Sequence, residues 1–236
     1  DTKLSLFAIL LIPFSLVFIL IIYLKKKFTH VLKFDIPIIC VGNIYIGGTG
    51  KTPTSIFIAN ELSRLGKKPV ILRKFYKNHI DEHTLIKGNF ENLILKNNRI
   101  SGIQEAIEMN YDTVILDDGF QDYKIKKNLN IICFNQKQLI GNGLVLPSGP
   151  LRENLNALKD ANIILINGTK NTIFENKILN INQNLKIFYA NYKPVNIEQF
   201  KSRKFIALAA IGNPGNFFDL LDEHEIDIIQ KLIYPD

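Results

Sequence analysis

The stretch "IYIGGTGKTPTS" at residues 44–55 ends in Gly50, Lys51 and Thr52, which close the phosphate-binding template G-x-x-x-x-G-K-[ST]. Glycines let a backbone turn its N–H groups inward and approach phosphate oxygens closely, and Gly47, Gly48 and Gly50 supply that freedom around Thr49. A lysine and a threonine opening a helix complete the chemistry. Lys51 would reach the β- and γ-phosphates of ATP, and Thr52 would hold Mg²⁺ through its hydroxyl. The template's first glycine is replaced by Tyr45, so Gly47 and Gly48 are expected to carry the turn. A glycine-rich turn without a ligand is the competing reading. A second pair of residues argues against it: "TVILDDG" sets Asp117 and Asp118 at the end of an apolar run, where α/β sheets bind ligands and where two carboxylates suit Mg²⁺.

The surrounding elements can position these groups. "DIPIICVG" (35–42) reads as a buried parallel strand entering the glycine loop. "TPTSIFIANELSRLG" (52–66) reads as the helix leaving it, with Pro53 in its first turn and Gly66 as its stop. Further buried strands are expected at 68–73, 112–119, 129–134, 161–168 and 185–191, with a helix at 101–109. Their alternation predicts an α/β fold of the P-loop NTPase kind, a mainly parallel sheet flanked by helices. Residues 204–232 read as strand, turn, helix and strand, the start of a smaller C-terminal subdomain. The expected division is 1–27, 28–200 and 201–236.

Residues 4–24, "LSLFAILLIPFSLVFILIIYL", carry no charge over 21 positions. As one helix they would be roughly 31 Å long, about the thickness of a bilayer core. Lys25, Lys26 and Lys27 follow at once, which predicts a membrane anchor with its C-terminal end at the cytoplasmic face. A signal peptide would carry its positive charge before the apolar stretch instead. The formal charge of +7 favours anionic partners. Cys40 and Cys133 lie in separate apolar runs and read as buried thiols, without a disulfide or metal role. "HIDEH" (79–83) reads as a loop with surface histidines, not a zinc site.

These segments, in this order, resemble the tetraacyldisaccharide 4′-kinase family of lipid A synthesis. "VGNIYIGGTGKTP" (41–53), "DDGFQDY" (117–123), "GNGLVLPSGPLRE" (141–153) and "AAIGNPGNFF" (209–218) are similar to its motifs. The resemblance implies transfer of the γ-phosphate of ATP to the 4′-hydroxyl of a lipid-linked glucosamine disaccharide 1-phosphate. It implies a place at the cytoplasmic face of a Gram-negative inner membrane, among anionic lipids, with neither nucleic acid nor an obligate protein partner. It makes Asp81, in "IDEHTLI", the base that activates the acceptor hydroxyl, and Arg99 a cation for the transferring charge. Gln121, Arg152 and Glu153 match further motif positions at the nucleotide site.

The chain departs from the family pattern at Leu72, Lys74 and Phe75 around Arg73, at Ile80 before Asp81, and at Asp122. The resemblance also places a histidine partner for the catalytic aspartate directly after Asp236, which suggests a chain cut at both ends. The rival functions are a membrane-associated ATPase switch of the partitioning or cell-division type and an inactive scaffold. Ile46 stands where such ATPases carry a signature lysine, which argues against the switch.

Overall fold

The computed structural model describes residues 5–76, 80–211 and 214–234. The chain forms two compact units, residues 1–190 and 191–236. The first unit is built on a seven-stranded, all-parallel sheet ordered β3-β2-β4-β1-β5-β6-β7. Its strands are β1 (Ile38–Gly42), β2 (Pro69–Lys74), β3 (Leu93–Lys96), β4 (Thr113–Asp117), β5 (Leu129–Asn135), β6 (Ile163–Asn167) and β7 (Lys186–Ala190). Its helices are α1 (Leu6–Leu10), α2 (Ile12–Phe28), α3 (Lys51–Arg64), α4 (Ile80–Asn89), α5 (Arg99–Glu108) and α6 (Thr172–Leu179). The central strands are covered on both faces, so β2 and β4 are buried along nearly their whole length. That is why they stood out as unbroken apolar runs.

Two clusters make the core of this unit, one on each face of the sheet. Cys40, Leu72, Leu116 and Phe134 belong to the larger one, and Val41, Ile71, Ile115 and Cys133 to the other. Alternate residues of β1, β2 and β4 thus point to opposite faces. Gly102 of α5 lies so close to β2 that a Cβ there would meet Leu72 Cδ1 at 2.4 Å. The strand order reverses about β1, so the loop after β1 opens at the C-terminal edge of the sheet, the position where such folds bind ligands.

The N-terminal segment differs from a single membrane-spanning helix. The helix breaks at Leu11, and α2 has 17 residues, roughly 26 Å. Pro13 sits in its first turn, where the ring cannot follow a continuous preceding helix. Among the described residues no helix is long and apolar enough to cross a membrane. One side of α2 is docked instead. Phe18 and Ile19 pack on the main core, and Ser15 is buried with its hydroxyl donating to Val145 O at 2.8 Å and lying 2.8 Å from Ser148 Oγ. Lys26 pairs with Asp160. The other side exposes Phe14, Val17, Leu20, Ile21 and Leu24.

The region read as a loop at 79–83 is largely helical. Residues 80–83 open α4, and His83, expected at the surface, is buried beneath Phe75 with ring centroids 5.6 Å apart. His79 lies outside the described residues, as do Gly212, Asn213, Pro235 and Asp236 from the later motifs. The edge strand β3 and helix α4 had no sequence forecast. In the second unit β8 (Phe205–Ala209) pairs in parallel with β9 (Ile228–Ile233), and α7 (Pro214–Glu223) lies between them in sequence. Phe218 of α7 is buried with Ala207 and Ala209.

Candidate active site

The glycine loop leaves β1 in an extended path. Tyr45 bridges to Leu151, with Ile46 N donating to Pro150 O at 2.9 Å and Arg152 N donating to Ile44 O at 2.8 Å. A bridged, extended position has no use for glycine, which explains how Tyr45 is accommodated. The turn comes later, at Gly47 (φ 113°) and Gly50 (φ 85°) rather than at Gly48. Gly50 is the residue before α3 and takes a left-handed conformation that a side chain resists. Thr49 is buried between two asparagines: Asn43 Nδ2 donates to its hydroxyl at 2.9 Å and Asn167 Nδ2 to its carbonyl at 2.6 Å. The amides of Gly48, Thr49 and Gly50 donate to no acceptor among the described residues. They form an open cradle at a helix N-terminus, suited to phosphate oxygens.

Two hydroxyl side chains of the first turns of α3 reach toward β4. Thr52 Oγ1 donates to Asp117 Oδ2 at 3.2 Å, and Ser55 Oγ, three residues on, donates to Asp117 Oδ1 at 3.0 Å. Asp117 is fully buried. Arg73, at the end of β2, donates to Asp117 Oδ2 and also to Thr52 Oγ1 at 3.2 Å. A hydroxyl and a carboxylate oxygen therefore already converge on one cationic nitrogen. This oxygen donor set fits Mg²⁺, with Asp118 beside it.

Asp118 sits at φ 54°, a left-handed position that aspartate tolerates. Its carboxylate accepts from Arg152 Nη1 at 2.9 Å and lies 3.9 Å from Lys51 Nζ. Burial alone would raise the Asp118 pKa, but the Lys51 and Arg152 charges outweigh it and hold the carboxyl below its usual range. Burial depresses the Lys51 ammonium despite the Asp118 charge. Arg99 donates to the carbonyls of Asp118 at 2.7 Å and Asp117 at 3.3 Å, bracing the acidic turn, and its Nη1 lies 3.6 Å from Asp122.

Gln121 and the buried Glu153 form a separate, half-buried link. Gln121 Nε2 donates to Asn43 O at 2.8 Å and to Glu153 Oε1 at 3.0 Å. Burial raises the Glu153 pKa, partly offset by hydrogen bonds from Tyr123 and Gln121. Asp81 is exposed on the first turn of α4 and does not line the cavity beside Asp117 and Asp118. Its neighbour Glu82 is the carboxylate that reaches the site, paired with Arg73.

The structure thus gathers Lys51, Thr52, Arg99, Asp117, Asp118 and Arg152, and leaves Asp81 at the margin. It adds Arg73, Ser55, Asn43 and Glu82, which had no assigned roles. An arginine closing an otherwise apolar strand was the available signal for Arg73.

The family model described as tetraacyldisaccharide-1-P 4′-kinase matches residues 7–236. A tetraacyldisaccharide 4′-kinase of Pelagibacter ubique is 41% identical over 240 residues, covering 99% of this chain and 75% of that protein. One from Rickettsia canadensis is 31% identical, covering 99% of this chain and 76% of its own length. The crystal structure of LpxK from Aquifex aeolicus in complex with ATP aligns with a TM-score of 0.74 at 25% identity, over 98% of this chain and 82% of that one.

Proposed function

Because the chain belongs to the tetraacyldisaccharide-1-P 4′-kinase family, we infer that it moves the γ-phosphate of ATP to the 4′-hydroxyl of a tetraacylated glucosamine disaccharide 1-phosphate in lipid A synthesis. The observation that carries this reading is the convergence of Lys51, Thr52, Asp117 and Asp118 beside an open amide cradle.

In the proposed mechanism the loop amides and Lys51 grip the donor phosphates. Thr52, Asp117 and Asp118 would hold Mg²⁺, which would supply positive charge to the donor phosphates. Arg152 and Arg99 fix the acidic turn, and their guanidinium groups add positive charge where phosphoryl charge develops. The acceptor oxygen forms a bond to the γ-phosphorus while the bond to the β–γ bridging oxygen breaks and ADP leaves. The acceptor's proton passes to a carboxylate base, assigned to Asp81. Glu82 is tied to Arg73, whereas Asp81 forms no ion pair among the described residues, which supports the assignment.

The acyl chains of the acceptor require a lipid surface. The exposed apolar side of α1 and α2, followed by Lys25–Lys27, supports placement on the inner membrane at its cytoplasmic face, with anionic lipid beneath the lysines. The testing experiment is labelled γ-phosphate transfer to a tetraacylated disaccharide 1-phosphate. Lys51→Ala should abolish transfer. Normal transfer by that variant would overturn the reading. Loss with Asp81→Asn but not with Glu82→Gln supports Asp81 as base. The reverse result moves the role to Glu82. ATP hydrolysis without transfer would point to a nucleotide switch, and ATP binding without turnover to a scaffold.

A further inference from the structure

The cavity that contains Asp117, Asp118 and Arg152, about 710 Å³ in volume, is also lined by three lysines: Lys25, Lys74 and Lys124. Its carboxylates are already answered by arginines, Asp117 by Arg73, Asp118 by Arg152 and Asp122 by Arg99. The three lysines pair with no carboxylate among the described residues. Lys74 lies over the Tyr76 ring at 5.3 Å. Lys25, in the last turn of α2, and Lys124 line this cavity together. Leu32 N donates to Lys124 O at 2.8 Å, tying this loop to the chain just beyond the helix, and Lys25 Nζ lies 5.9 Å from the ring of Tyr123, the residue before Lys124.

We propose that Lys25 and Lys124 form the subsite for the acceptor's own phosphate monoester. This rests on the kinase reading and adds to it the recognition of the substrate's anionic end. The donor's phosphates are taken by Lys51 and the loop amides, so these two cations are surplus to nucleotide binding. A phosphate monoester carries about −1.5 to −2 charges at neutral pH and matches a lysine pair. It stands at the opposite end of the two sugars from the hydroxyl that is phosphorylated. The same cavity carries the amide side chains of Asn97, Asn98 and Gln121, which suit sugar hydroxyls. Lys25 closes the apolar helix, so this subsite lies where acyl chains on a membrane surface would meet the sugar headgroup.

The test compares two acceptors, the tetraacylated disaccharide with its 1-phosphate and the same molecule with a free 1-hydroxyl, in micelles of neutral detergent. The Lys25→Gln, Lys124→Gln double variant is set against wild type and against Lys67→Gln, an exposed lysine outside the cavity. The double variant should lose about tenfold in kcat/KM on the phosphorylated acceptor, through KM, and its preference over the hydroxyl acceptor should collapse. Lys25→Arg with Lys124→Arg should restore that preference. Equal losses on both acceptors, or no loss, overturn the proposal. A loss that emerges only when anionic lipid is added to the micelles also overturns it, since the lysines then serve the lipid surface. Wild-type protein that phosphorylates neither acceptor defeats the kinase reading itself.

Discussion

Arg73 stands directly opposite Asp117 in the parallel register of β2 and β4, and its guanidinium crosses between the strands to that carboxylate. Removing one partner of a buried pair leaves an uncompensated charge, at a cost of about 3–5 kcal/mol. Arg73→Ala should therefore lower the urea midpoint strongly. Because Thr52 and Asp117 keep their oxygens, added Mg²⁺ should recover more stability in Arg73→Ala than in wild type. The double variant Arg73→Met, Asp117→Asn should be less destabilised than Arg73→Ala and should lose the Mg²⁺ response. Urea titrations with and without Mg²⁺ check all three outcomes.

The loop geometry separates two substitutions that a motif alone would rank the other way. Tyr45→Gly restores the template but removes a side chain packed on the main core, so ATP affinity should stay unchanged or fall. Gly50→Ala places a side chain at φ 85°, with a strain of about 1–2 kcal/mol at the start of the cradle. It should weaken ATP binding several-fold by calorimetry. Tighter binding by Tyr45→Gly would mean that the Tyr45 side chain hinders the nucleotide.

Lys51 gives a pH dependence with a definite sign. Burial lowers its pKa in the free protein, and bound phosphates, being anionic, raise it again. Binding is strongest while the ammonium is charged. Affinity for ATP should decline as pH rises through the free protein's depressed value, with a proton taken up on binding in that window. Calorimetry in two buffers of different ionisation enthalpy reads the proton directly. Lys51→Arg should shift the decline to higher pH.

Both cysteines are sealed in the strands. Burial pushes the thiols of Cys40 and Cys133 up to about 12, so neither offers thiolate at neutral pH. A thiol reagent should label neither in the native protein and both in denaturant. Bound ATP should leave that protection intact. Fast native labelling of Cys133 would imply opening between β5 and α3, since its Sγ lies 3.7 Å from Thr54 Oγ1.

The sheet was legible where strands are buried on both faces, as in "IPIIC" and "TVILD", because a covered strand must be apolar throughout. Edge strand β3 buries one residue of four and α4 buries only His83 and Ile86, so neither left a strong pattern. Lys51, Thr52, Asp117 and Asp118 were readable because local spacing fixes them. Arg73, Ser55 and Glu82 depend on which strands and helices become neighbours, and periodicity does not encode that. Hydropathy marked residues 4–24 as apolar but could not tell the docked side from the exposed one. Ser15, the hydroxyl on the docked side, had no meaning until its partners were known.

That serine determines how the N-terminal helix handles the rest of the unit. A greasy segment joined by a slack tether would let the reaction centre tumble above whatever it adheres to. Here the helix is riveted near its start to the loop carrying Ser148, four residues before Arg152 of the phosphate site, so that helix and loop travel as one piece. Any surface that accepts the oily side would also set the height and heading of the catalytic mouth, and on such a surface the hunt for an acceptor would be a glide in two dimensions.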